Sequence, residues 1–147
     1  MARLAEATAP AEVAQVRELF AEYARIVDQP CCFVDFEREL ATLPGDYKLF
    51  LAEGAAGCVA LRYLDRDTAE MKRLYVRATH RGQGLGRALA EAAIGAARKA
   101  GCTRIVLDTL PKMSAAQALY RTLAFRPIAP YLKNPTPGAL CFELRLS

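Results

Sequence analysis

A chain of 147 residues in which 24% are charged and 53% belong to the apolar set has the length and composition of one folded domain, residues 1–147, and excludes a disordered segment. A net charge of +4 favours anionic ligands, but the arginines are scattered rather than gathered in a stripe, which argues against a nucleic-acid binder. No run approaches the ~18 to 20 apolar residues of a membrane span, so no membrane partner is expected.

In chain order, the pattern predicts a short strand over residues 2–7. A helix follows over 11–27, opened by Pro10, with Val13, Val16, Leu19, Phe20, Tyr23 and Val27 on one apolar face. A second helical piece over 34–42 is stopped by Pro44-Gly45. Strands at 48–52 and 58–64 flank the hairpin signal Glu53-Gly54-Ala55-Ala56-Gly57, and another strand covers 70–77. After the glycine-rich run at 81–86 come a helix over 87–100, closed by Gly101, and a β-branched strand over 103–109. A helix over 112–123 and strands at 126–133 and 139–146 complete the order βααβββαβαββ. Antiparallel-looking strands followed by a β-helix-β crossover imply a mixed sheet with helices on its faces.

The run Arg81-Gly82-Gln83-Gly84-Leu85-Gly86 carries the chemistry. Its alternate glycines clear side chains from a turn that opens a helix. The first helical amides there lack intrahelical partners, and the macrodipole adds about +0.5 charge, so the turn suits phosphates. A Walker A loop requires Lys-Ser or Lys-Thr after the last glycine, whereas Arg87-Ala88 stands here. A dinucleotide fingerprint requires a third glycine where Arg87 lies, and no acidic strand end follows at the required distance.

The same run fits Arg/Gln-x-x-Gly-x-Gly/Ala and resembles the pyrophosphate loop of the GNAT superfamily of acyl-CoA-dependent N-acyltransferases. Leu74-Tyr75-Val76 before it, Leu107-Asp108-Thr109 after it, and the segment from Ala118 through Leu119-Tyr120 to Ala124-Phe125 extend the resemblance over residues 48–146. It implies a mixed, mostly antiparallel sheet of six to seven strands flanked by about four helices. It also implies transfer of an acetyl group from acetyl-CoA, as co-substrate, to an amine by direct attack in a ternary complex.

By that resemblance, the turn residues Arg81, Gly82, Gln83, Gly84, Leu85 and Gly86, with Arg87, hold the pyrophosphate. Leu74 and Val76 pair through their backbone with the pantetheine arm, and an N–H near Tyr75–Val76 faces the oxyanion. Glu70 matches a catalytic base, acting directly or through water, against the alternative of a strand glutamate paired with Lys72 or Arg73. Tyr120 matches the acid that protonates the departing thiolate, against a core aromatic. Ala124 stands where the family often carries glycine. A non-catalytic acyl-CoA-binding domain of the same fold is the alternative function.

His80, the one histidine, falls on the phosphate side. One histidine and ungrouped cysteines give no metal-ligand spacing. Five cysteines and no secretory signal read as reduced thiols in a cytoplasmic protein. The acceptor side falls to Phe33, Asp35, Phe36 and Glu37 and to Tyr131, Asn134 and Thr136, with Glu39 and Asp46 as further acidic candidates. Small amines, amino acids, peptide N-termini and protein lysines all stay open as acceptors, and a homodimer is compatible with the resemblance.

Overall fold

The computed structural model describes residues 3–29, 32–133 and 135–146. Its elements are β1 (Leu4–Glu6), α1 (Pro10–Val27), α2 (Phe36–Thr42), β2 (Lys48–Ala52), β3 (Gly57–Tyr63) and β4 (Thr68–Val76). They continue with α3 (Leu85–Lys99), β5 (Arg104–Thr109), α4 (Ser114–Thr122), β6 (Arg126–Ile128) and β7 (Leu140–Arg145). One sheet of seven strands runs β1-β2-β3-β4-β5-β7-β6, and every neighbouring pair is antiparallel except β4 with β5. The mixed, mostly antiparallel sheet with four helices is the architecture the sequence implied.

The strand period of two gives the sheet two apolar faces. On one, α1 sets Val16, Leu19 and Phe20 against Leu49, Leu51, Cys58, Ala60 and Tyr75. On the other, α3 sets Leu85, Leu89, Ala93 and Ile94 against Val59, Leu61, Met71, Ile105, Leu107 and Phe142. Fully burying one such side chain contributes about 1.5–3 kcal/mol, so these two layers stabilise the central strands. The short edge strands β1 and β6 add little.

Several boundaries differ from the sequence reading, each for a local reason. The second helix begins at Phe36 rather than at 34, because Asp35 takes a left-handed conformation at φ 58° and turns the chain into the helix. α4 begins at Ser114, after Pro111, rather than at 112. The strand expected over 126–133 shrinks to Arg126–Ile128, since Pro130 lacks the N–H that a ladder needs. The N-terminal strand is Leu4–Glu6, and Ala2 of the expected strand lies outside the described residues.

Two irregularities of β4 shape the site. Cys58 pairs with Tyr75 and Ala60 with Lys72, so Val59 faces two residues in a β-bulge. Arg73 sits in the bulge at φ 58°, and the Cys58 thiol donates to its carbonyl at 3.6 Å. The extra residue reverses the facing of the strand. Tyr75 packs on the α1 layer, while Leu74 and Val76 pack on the α3 layer.

The second irregularity is a splay. β4 pairs with β5 only at Thr68↔Arg104, Ala69↔Ile105 and Glu70↔Val106. Beyond Glu70 the two parallel strands part, and the edge of β4 through Leu74 and Val76 has no strand beside it on the β5 side.

Candidate active site

At the helix end of the splay, Gly82 and Gly84 take φ 80° and 76°. These are left-handed values that side chains disfavour, and a Cβ at either would meet nothing within 4 Å. The glycines are required by the turn and not by crowding. The first hydrogen bond of α3 joins the Ala88 amide to the Gly84 carbonyl at 3.1 Å. The amides of Leu85, Gly86 and Arg87 therefore remain open to a ligand.

They face a cleft of about 540 Å³, which also takes in Leu74, Tyr75, Val76, Arg81, Gly82, Gly84 and His80. Gln83 alone of the expected cofactor residues does not line it. Arg81 donates through Nε to the Val76 carbonyl at 3.1 Å, tying the turn to the strand end. His80 lies on the phosphate side as expected, with Nδ1 2.9 Å from the Thr79 hydroxyl. The donor set fits a pyrophosphate with a long arm: a positive helix end, the three cationic side chains Arg81, Arg87 and Lys112, and an unpaired strand edge in one groove.

A second cleft of about 310 Å³ opens on the α1–α2 side of the sheet. Between the two, at the splay, a small cavity of about 30 Å³ is lined by Lys72, Arg73, Leu74, Asp108, Thr109 and Tyr120. Tyr23 and Met113 line all three spaces. The three spaces thus share walls at the point where β4 and β5 separate.

Tyr120 reaches this junction from α4. It is buried against Phe125 and Phe142, with ring centroids 5.7 and 6.2 Å away, and its hydroxyl makes no hydrogen bond among the described residues. Burial pushes its phenol well above the ordinary tyrosine value, so it stays protonated and can donate. After α4 the chain turns at Ala124, whose φ of 73° is the left-handed value that the family glycine would take without strain. The Phe125 amide donates back to the Tyr120 carbonyl at 3.0 Å, fixing this end of the helix.

Glu70 is placed differently from the sequence expectation. It is 0% exposed and lines none of these spaces. Its two oxygens accept from Arg62 Nε at 2.6 Å and from the Tyr131 hydroxyl at 2.5 Å. Neither Lys72 nor Arg73, the partners considered from sequence, holds it. Tyr131, expected on the acceptor wall, is instead this anchor.

The residue that does present a carboxylate at the junction is Asp108, at the end of β5. Burial raises its pKa above the ordinary aspartate value, with Lys72 opposing and Glu70 adding to the rise. Opposite it, burial lowers the pKa of Lys72 below the ordinary lysine value. Arg73 is fully engaged: Nε and Nη2 donate to Glu39 at 3.1 and 3.0 Å, Nη1 donates to the Cys32 carbonyl at 3.3 Å, and its guanidinium lies 4.4 Å over the Phe33 ring.

Among the other acceptor-side expectations, Phe33 and Thr136 line the second cleft, whereas Asp35, Phe36 and Glu37 do not. Asn134 lies outside the described residues. Glu39 lines the cleft but is neutralised by Arg73. Lys72, Asp108, Tyr23 and Met113 were missed as site residues. A signal existed for two of them: Lys72 shares its strand face with Glu70, and Asp108 follows the apolar run Ile105-Val106-Leu107 as a charge at a strand end.

A splayed parallel pair inside a mostly antiparallel sheet, with a glycine turn behind it, is the arrangement that the resemblance to acyl-CoA-dependent transferases implies. Residues 13–125 match the family model for the acetyltransferase (GNAT) family, and the chain belongs to that family. It is 39% identical over 94 residues to an uncharacterised N-acetyltransferase of Schizosaccharomyces pombe, a match covering 63% of this chain and 58% of that protein. The chain thus spans little more than half the length of this yeast relative.

Among solved structures, a Klebsiella pneumoniae protein assigned as an acyl-CoA N-acyltransferase superposes with a TM-score of 0.81 at 25% identity, covering 100% of this chain and 99% of that one. YncA from Salmonella typhimurium, solved with its cofactor acetyl-CoA, shares the fold at a TM-score of 0.77 and 21% identity over 100% of this chain and 95% of its own.

Proposed function

We propose that this chain acts as a single domain that transfers an acetyl group from acetyl-CoA to an amine by direct attack in a ternary complex. The observation that carries the reading is the β4–β5 splay, at which a glycine-turn groove on one side and a polar cleft on the other share the walls of one small cavity. Acetyl-CoA supplies an activated acyl thioester. The open amides of Leu85, Gly86 and Arg87, with Arg81, hold its pyrophosphate, and the unpaired edge of β4 at Leu74 and Val76 receives the pantetheine arm.

An amine must lose a proton before it can attack, and a thiolate must gain one as it leaves. Asp108 is the base: it lines the junction, and its raised pKa brings its proton affinity closer to that of the amine. Tyr120 is the acid, a protonated phenol at the same cavity with no competing hydrogen bond. Glu70 is a positioning residue that holds Arg62 and Tyr131 beneath the cleft floor.

Calorimetric titration with acetyl-CoA, followed by initial rates over an amine panel, tests the reading. Intersecting double-reciprocal lines are expected. Parallel lines with an isolable acyl-enzyme overturn direct transfer, and tight acetyl-CoA binding without turnover of any amine favours a binding domain instead.

A further inference from the structure

The second cleft carries five charged side chains on its walls: Glu39, Arg62, Lys72, Arg73 and Asp108. Three are neutralised within the protein. Glu39 pairs with Arg73 at 3.0 Å, and Arg62 pairs with the buried Glu70 at 2.6 Å. Lys72 and Asp108 are left over, one cation and one anion. Among the described residues neither makes an ion pair within 4 Å, and the Asp108 carboxylate accepts only from its own backbone amide.

The backbone explains why these two fail to satisfy each other. Glu70 pairs with Val106 in parallel register, so two residues further on Lys72 would stand beside Asp108 if the ladder continued. The ladder stops there. The splay that opens the slot for a thioester also separates a lysine and an aspartate that an unbroken sheet would pair. Both line the junction cavity and the second cleft, on the two strands that part there. Each also departs from its ordinary pKa towards neutrality, the strain expected of charges lacking partners in a low-dielectric wall.

We propose that the acceptor is an α-amino acid, with its carboxylate received by Lys72 and its ammonium by Asp108. An α-amino acid carries both charges on one carbon and completes two ion pairs at once. A plain amine satisfies Asp108 and leaves Lys72 buried and unpaired. A peptide N-terminus or a protein lysine does the same. Tyr23, Val27, Met113 and Leu132 on the cleft wall leave an apolar surface for the side chain.

This inference rests on the acyltransferase reading. The ammonium passes one proton to Asp108, and the nitrogen forms the amide bond as the C–S bond breaks. The second nitrogen proton replaces the one that Tyr120 gives to sulfur. The products are the N-acetyl amino acid, CoA thiol and one proton released to solvent from Asp108.

The test compares L-leucine and L-phenylalanine with their primary amides, which keep the amine and lose the carboxylate. Binding to the protein–CoA complex is read by calorimetry, which needs no turnover, and kcat/KM is read by free thiol release. The acids should exceed the amides by at least tenfold in both readouts. Lys72→Met should bring that ratio close to one, and Lys72→Arg should restore most of it, which a merely structural lysine would not produce. Amides that bind and react as well as the acids, or a Lys72→Met ratio equal to wild type, overturn the proposal and leave the acyltransferase reading standing. Failure of acetyl-CoA itself to bind overturns the reading beneath it, and with it the proposal.

Discussion

Replacing Glu70 by glutamine separates a proton acceptor from a structural anchor, because the two roles predict opposite readouts. The wild-type carboxylate is buried and accepts two charge-assisted hydrogen bonds, one from Arg62 and one from Tyr131. Glutamine keeps the volume and one acceptor oxygen for Arg62, and its NH2 can donate to the Tyr131 oxygen once that hydroxyl rotates. What is lost is charge. Charged hydrogen bonds contribute about 1.5–3 kcal/mol and neutral ones about 1, so Glu70→Gln should cost about 1–2 kcal/mol.

Glu70→Ala removes both acceptors. Breaking a buried pair costs about 3–5 kcal/mol. Arg62 is about one-third exposed at 32% and can turn to water, which brings the expected loss to about 2–4 kcal/mol. At roughly 3 °C per kcal/mol for a chain of this size, the glutamine variant should melt about 3–6 °C lower and the alanine variant about 6–12 °C lower. Urea unfolding with an unchanged m-value checks the energies, and kcat against pH at saturating substrates checks the chemistry. A Glu70→Gln protein that melts with the wild type but loses its acid limb and two orders of magnitude in kcat refutes the assignment and restores Glu70 as the base.

Three further outcomes are expected. Asp108→Asn should lower kcat by about 10²–10⁴-fold and abolish the acid limb of the pH profile. In the wild type, activity should rise as Asp108 loses its proton, at a pH above the ordinary aspartate range because its pKa is raised. Burial raises that limb, Glu70 adds to the rise and Lys72 and Arg73 oppose it, while Tyr23 from α1, Tyr120 from α4, Tyr131 and Cys141 lie within electrostatic range of the same carboxylate. Tyr120→Phe should lower kcat about 10²-fold with acetyl-CoA affinity held in calorimetry and little loss of melting temperature, since the hydroxyl has no hydrogen bond to lose. Ala124→Gly should raise stability by about 0.5–1 kcal/mol in urea unfolding, because relief of a left-handed alanine, about 1–2 kcal/mol, outweighs the added entropy of the unfolded chain.

The fold was legible wherever a period or a stop signal is local. The apolar stripe of α1, the β-branched run of β5 and the glycines before α3 each write their own element into a few adjacent residues. The turn and helix end of the proposed phosphate groove are legible for the same reason, since they lie within seven consecutive positions. On the other side of the sheet only Phe33, Glu39 and Thr136 of the expected residues line the cleft, and its charge pairing is not legible. Glu70 meets Tyr131 across 61 positions and Arg73 meets Glu39 across 34, and no local pattern says which of several arginines and acids will neutralise which. A glutamate on the right strand therefore reads as a base in the sequence, and only the fold shows that its carboxylate accepts from Arg62 and Tyr131. The bulge at Arg73 was equally hidden, because nothing in Met71-Lys72-Arg73-Leu74 announces an extra residue, yet it decides which side chains face which groove.

The bulge and the splay are two consequences of one departure from regular pairing. A β4 in register on both sides would keep Leu74 and Val76 on the face of Lys72, and its edge would be spent on β5. The bulge turns Leu74 and Val76 towards the α3 layer, where the phosphate groove begins, and leaves Lys72 towards the α1 layer, where the acceptor cleft lies. The splay then exposes the strand edge between them. Backbone groups at that edge need other partners, because a buried unpaired peptide group costs about as much as a lost hydrogen bond. At the far end Arg81 supplies one, donating to the Val76 carbonyl. The same arginine lies at the mouth of the glycine turn, so under the proposed function a pyrophosphate would compete for it as a pantetheine arm paired with the strand. Arg81→Ala should therefore weaken acetyl-CoA in calorimetry more than it weakens dephosphorylated short pantetheine thioesters, and equal losses for both would assign Arg81 to the strand alone.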